Sequence, residues 1–171
     1  ADSIGLGCDL TLGTLWPFGD SHVTADQATR RYGDPEWRQV ITRSWEHPKS
    51  GYVIDHLTSA NYLPYLERLI KAFPRPESSI PQSYFIDSWE VETENLWCEG
   101  FGDDFYRRFG YDITQYMDSI YDPGKSQYLY DYMSLVSDKV LKFYSDLAST
   151  LNSPGMMSRG PVSGALSALI G

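Results

Sequence analysis

The stretch Tyr52–Asp87, YVIDHLTSANYLPYLERLIKAFPRPESSIPQSYFID, carries the decision about the fold. Its opening, Tyr52-Val53-Ile54, is apolar and β-branched and stops at Asp55-His56, which reads as a short strand. Thr58-Ser59 follows as an N-cap, and Leu63, Leu66, Leu69, Ile70 and Phe73 then recur at helical spacing. Pro74 and Pro76 close that helix, Ser78 to Pro81 forms a loop, and Tyr84-Phe85-Ile86 is a further strand ending at Asp87. A strand, a helix and a strand within about 30 residues is the pattern of a βαβ unit, and it predicts a parallel sheet.

Working outward, Ile4 to Leu12 mixes apolar and small residues and reads as a buried strand that enters a loop at Gly13. Thr24 with Gln27 is a capping-box pattern and predicts a short helix from Ala25 to Tyr32. Arg38 to Thr42 is a brief strand-like run. Downstream, Phe101, Phe105 and Phe109 repeat every four residues before Gly110, a C′ glycine. Leu129, Met133, Val136, Val140, Phe143, Leu147 and Leu151 mark one face of the longest helix; Pro154-Gly155 ends it, and Met156 to Ser158 is a fourth strand. The chain therefore offers about four βα units. A complete eight-stranded barrel needs roughly 250 residues, so the expectation is a small open α/β sheet or about half of a barrel.

Composition narrows the partners. The 171 residues hold 23 Asp plus Glu against 14 Lys plus Arg, a net charge of −9. An acidic chain of this kind argues against nucleic acid or an anionic membrane as partner. Apolar stretches run to only a few residues, too short to span a bilayer. Two cysteines, Cys8 and Cys98, make no disulfide scaffold and no Cys-x-x-Cys pair. Aromatic content is high, 15% with 13 Tyr and 5 Trp, which suits both a large core and the stacking of sugar rings.

The carboxylates supply the chemistry. Asp9, Asp55 and Asp87 each fall at an apparent strand end, and in a parallel α/β fold strand ends gather at one rim, where such folds place their sites. Glu90, Glu92, Glu94 and Glu99 follow at once, interleaved with Trp89 and Trp97. Such a cluster suits oxygen-rich cation binding or a general acid of raised pKa, and with Trp beside it a sugar-processing site. A solvated acidic loop with structural Asp caps is the competing reading. His22, His47 and His56 lack zinc-ligand spacing; His56, at a strand end, is placed either to bond a substrate hydroxyl or as a satisfied rim residue. Ser88 lacks the Gly-x-Ser-x-Gly elbow, and no dinucleotide fingerprint is present.

Several segments together carry a resemblance. GLGCDLTLGTLWPFG, Gly5 to Gly19, resembles a strand-and-loop motif of glycoside hydrolase family 106, the α-L-rhamnosidases. Gly51–Leu57 (GYVIDHL) and Tyr84–Glu90 (YFIDSWE) resemble its next two barrel strands, and Phe105–Asp112 (FYRRFGYD) its continuation. Tyr130-Asp131-Tyr132 and Arg159-Gly160-Pro161 stand in the matching order. The resemblance implies a partial (β/α)8 TIM barrel, a single domain over residues 1–171 carrying about strands two to five. It implies inverting hydrolysis of terminal α-L-rhamnosides with a calcium ion at the sugar hydroxyls. Glu90 would be the general acid, with Glu92 the runner-up; Asp9, Trp16, Asp55, His56, Asp87 and Trp89 would bind substrate, and Asp87 with Glu92 would hold calcium. The inverting base belongs to a later strand, roughly 6.5–9.5 Å from the acid. The alternative is a catalytically incomplete half-barrel that binds carbohydrate or a complementary chain. Unpaired sheet edges predict self-association or a missing barrel segment, and Ala1-Asp2, read as a mature terminus, favours a secreted or periplasmic address over a cytoplasmic one.

Overall fold

A computed structural model describes residues 4, 6, 8–12, 17–41, 51–72, 82–86, 89–92, 94–151 and 156–159. Three strands pair in parallel in the order β1-β5-β7: β1 (Cys8–Thr11), β5 (Gln82–Phe85) and β7 (Met156–Arg159). The other pairings are antiparallel two-residue ribbons. β2 (Gly19–Asp20) pairs with β4 (Tyr52–Val53), and β3 (Arg30–Arg31) with β6 (Leu96–Trp97).

This overturns the partial (β/α)8 barrel of about four parallel strands. The Tyr52 strand, which should stand between β1 and β5 in a barrel, lies outside the parallel sheet and runs against Gly19–Asp20. Glycine is the physical reason. A Cβ on Gly19 would sit 2.2 Å from the Tyr52 carbonyl oxygen, and one on Gly51 would sit 2.2 Å from that of Asp20. Gly51 also has φ +112°, so two bare backbones approach where side chains would hold them apart. The other edge of the segment is occupied as well: Val53 N–H donates to the Gln39 carbonyl and Thr29 N–H to the Val53 carbonyl, both at 2.9 Å.

That second edge explains why the helix expected from Ala25 to Tyr32 is one 3₁₀ turn, Ala25–Gln27. Gln27 Oε1 accepts from the Thr24 backbone N–H at 3.3 Å, as the capping pattern implies. Beyond it, Ala28 bridges to Ile54 and Arg30–Arg31 joins β6, so sheet pairing takes the backbone groups that a helix would use. Of the Arg38–Thr42 run, the described residues, 38–41, contribute one isolated bridge, Val40 to Tyr52.

The helices match their periodicity more closely. α1 is Ser59–Ala72, α2 is Phe101–Phe109 and α3 is Ser126–Leu151. α2 stops at Gly110, whose φ of +81° lets its N–H reach the Tyr106 carbonyl. α3 runs through two apolar clusters. Tyr132, Val136 and Val140 pack with Phe101, Phe105 and Trp89; Phe143, Leu147 and Leu151 pack with Phe18, Ile54, Tyr62 and Leu66. On α1 the buried residues are Tyr62, Tyr65 and Leu66, while Leu63 is exposed, so the face is turned toward tyrosines that a count of aliphatics passes over. Buried tyrosine hydroxyls find partners: on α1, Tyr62 donates to Asp146 Oδ2 at 2.7 Å, and on α3 the fully buried Tyr132 donates to the Leu96 carbonyl at 2.7 Å.

Candidate functional site

β4 runs directly into Asp55 and His56, and both are buried. Asp55 Oδ1 accepts from the Leu57 N–H at 2.8 Å and Oδ2 from Asn61 Nδ2 at 2.9 Å, so the carboxylate bridges the end of β4 to the first turn of α1. Burial pushes its pKa up, against the lowering effect of these hydrogen bonds.

The neighbouring imidazole is held differently. His56 is 2% exposed and packs edge-on to Phe143, ring centroids 4.4 Å apart, with Phe18 at 6.1 Å and Trp89 at 6.2 Å. Among the described residues neither ring nitrogen makes a well-formed hydrogen bond, the Ile54 backbone being only close enough to offset the effect of burial slightly, and the Trp89 indole Nε1, in a side chain 3% exposed, has no partner either. Burial drives the His56 pKa down to about 3, so the ring is neutral at physiological pH. A neutral imidazole offers one donor and one acceptor. Such ring nitrogens, three of them on two neighbouring side chains, are unusual, because most buried polar groups in proteins are paired.

The segment after Trp89 is pinned by Gln39, a buried residue with no mark in the sequence. Its Nε2 donates to the Glu90 carbonyl at 3.4 Å, and its Oε1 accepts from the Glu92 N–H at 3.0 Å. The side-chain amide thus imitates a neighbouring strand. Because Gln39 also pairs through its own backbone with Val53 and Thr29, it ties the Glu90 segment to β4. Along 89–92 burial alternates: Trp89 and Val91 face inward, Glu90 is half-buried and Glu92 is exposed.

Of the residues expected to bind substrate, the fold brings Asp55, His56 and Trp89 together, with Glu90 following directly on Trp89, but places the first three in the interior. Asp9 lies within β1, in register with Ser83, and not beyond the strand's end. With β4 outside the parallel sheet, Asp9 and Asp55 do not end neighbouring strands of one sheet. Trp16 and Asp87 lie outside the described residues. Glu92 and Glu94 are exposed, and among the described residues no group of three or more His, Cys, Asp or Glu could hold a metal ion. Of the two residues expected to hold calcium, the described residues include Glu92, an exposed carboxylate.

Comparison with known proteins returns no match to this chain among protein-family profiles, curated proteins or solved structures.

Proposed function

We propose that the chain is a carbohydrate-active domain of α-L-rhamnosidase type, acting on terminal α-L-rhamnosides with Glu90 as general acid. One observation carries the reading. His56 and Trp89 come from two of the segments that carry the family resemblance, Gly51–Leu57 and Tyr84–Glu90, and they meet with three ring nitrogens unsatisfied among the described residues. Ordered water supplies the donors and acceptors that such buried nitrogens lack, and a sugar hydroxyl arriving at the Glu90 edge would take its place. Glu90, next in the chain, is half-buried and has its backbone fixed by Gln39, as a positioned acid requires. In the proposed step the Glu90 carboxylic acid gives its proton to the glycosidic oxygen as the bond from that oxygen to the anomeric carbon breaks. A water adds to the opposite face of that carbon and yields its proton to a second carboxylate.

Asp55 favours a second reading. Its carboxylate is buried and takes hydrogen bonds from Leu57 and Asn61 on its two oxygens, so it is a structural brace and not a base open to water. An inverting site needs two working carboxylates, and a domain with Glu90 alone binds the sugar without turnover.

Hydrolysis of 4-nitrophenyl α-L-rhamnoside separates the two, measured with added calcium and with chelator for the wild-type chain and Glu90→Gln. Turnover that drops by about 100-fold or more in the variant is the expected result. Turnover unchanged in Glu90→Gln removes the acid assignment. Binding of the glycoside with no hydrolysis by either protein supports the second reading.

A further inference from the structure

We propose that the surface around the β3 turn is a separate binding site for a neutral oligosaccharide. Two open clefts flank this turn, of about 470 and 540 Å³, each within the ~300–1,000 Å³ of small-molecule sites. They share Arg31, Tyr32 and Gly33, so Tyr32 stands as a ridge between two compartments large enough for sugar rings.

The walls have the chemistry of a sugar site. In the first cleft Tyr32 meets Trp97 edge-on at 4.9 Å, and Trp97 packs on Phe101 at 4.5 Å, a braced aromatic surface against which the apolar face of a pyranose can lie. Gly33 and Gly100 both have positive φ and open space where a Cβ would stand, which leaves bare backbone at the cleft. In the second cleft, the half-buried Asn95 is in the left-handed region at φ +54°, and its Oδ1 has no partner among the described residues, an acceptor short of a donor. A sugar hydroxyl is such a donor.

Charge decides against an anion. The cations are already engaged: Arg31 pairs with Asp34 at 3.0 Å and lies over the Trp37 ring, while Arg30 is 3.7 Å from Asp26. Glu99 and Asp103 balance Arg30 and Arg31 in the first cleft, while Asp34, Glu94 and Asp118 outnumber Arg31 in the second, so neither wall carries the positive surplus that a phosphate needs. Carboxylates beside aromatic rings are acceptors for vicinal hydroxyls. The assignment is drawn from these walls and stands whether or not Glu90 performs hydrolysis.

Backbone amide chemical shifts read the site directly. The probes are cellotriose, maltotriose and rutinose, with inorganic phosphate as the anionic alternative. The Gly33, Gly100 and Gly102 amides are expected to shift saturably with at least one saccharide, with a dissociation constant in the millimolar range. Trp97→Ala and Gly102→Gln should each weaken that binding at least tenfold. Gly102→Gln is the safer variant, because a Cβ there stands in ordinary contact, 3.8 Å from Trp97 Cζ2, and the longer chain fills the cleft from a helix. The same shifts in Glu90→Gln separate this cleft from the hydrolytic reading. Unmoved amides with all three saccharides at ~20 mM, movement with phosphate alone, or binding undiminished in Gly102→Gln would each overturn the proposal.

Discussion

His56 enters the folded core uncharged, and that sets an acid sensitivity. The unfolded chain titrates this group near 6.5, the folded chain near 3. Between those values the unfolded state binds a proton that the folded state refuses, so stability rises with pH across the window and is lost on acidification. The slope is at most about 1.4 kcal/mol per pH unit. Asp55 works in the opposite sense: its raised pKa lets the folded state keep a proton that the unfolded chain has released, so its contribution falls as pH rises above the ordinary carboxylate range. Urea unfolding of wild type and His56→Leu from pH 7 to pH 4 isolates the histidine. The variant should gain on wild type as pH drops. Parallel curves would mean that the imidazole is not held neutral in the core.

At the scale of elements, glycines choose which strands touch. Gly51 combines a positive φ with a 2.2 Å approach to the Asp20 carbonyl oxygen, whereas Gly110, at the end of α2, has a positive φ and nothing within 4 Å of where a Cβ would stand. Gly110→Ala therefore carries backbone strain alone, about 1 kcal/mol. Gly51→Ala adds a backbone clash that β4 relieves only by leaving β2, and about 2–4 kcal/mol is expected. Chemical denaturation of both variants tests this ordering; equal losses would show that the β2–β4 contact contributes little. The helices rely less on single positions. α3 is braced to α2 by Arg108 with Asp138 and Lys139 with Asp104, and to α1 by Tyr62 with Asp146.

For the whole molecule, the parallel sheet has three strands with β5 at its centre, so among the described residues β1 and β7 each present an unpaired edge. Such edges invite pairing with another chain. Phe85 on β5 is partly exposed, and Ile4 and Leu6, ahead of β1, are exposed. Self-association that grows with concentration is expected on size-exclusion chromatography with light scattering, and a monodisperse monomer at ~100 μM would count against open edges. No helix among the described residues is long and apolar enough to cross a membrane.

Local signals in the sequence located α1, α2 and α3 and the strands β1, β4, β5 and β7, but not β2, β3 or β6, and they read a helix where Ala25–Gln27 makes one 3₁₀ turn. Phe101, Phe105 and Phe109 before Gly110, the apolar repeat from Leu129 to Leu151, and the short runs at Cys8, Tyr52, Tyr84 and Met156 are local signals, set by side-chain spacing and turn chemistry along one stretch of chain. The sequence also singled out Asp55, His56, Trp89 and Glu90, within a larger set that included Asp9, Trp16, Asp87 and Glu92. Tertiary structure alone decided the pairing. Strand direction depends on which backbones can approach, and the Gly19–Tyr52 and Gly51–Asp20 contacts join residues more than 30 positions apart. The same holds for Gln39, whose side-chain amide splints Glu90 and Glu92, a role that the strand-like run Arg38 to Thr42 does not announce, and for the burial of His56, which depends on Phe18 and Phe143 closing over it. Periodicity reports what a residue prefers; only packing reports what it meets.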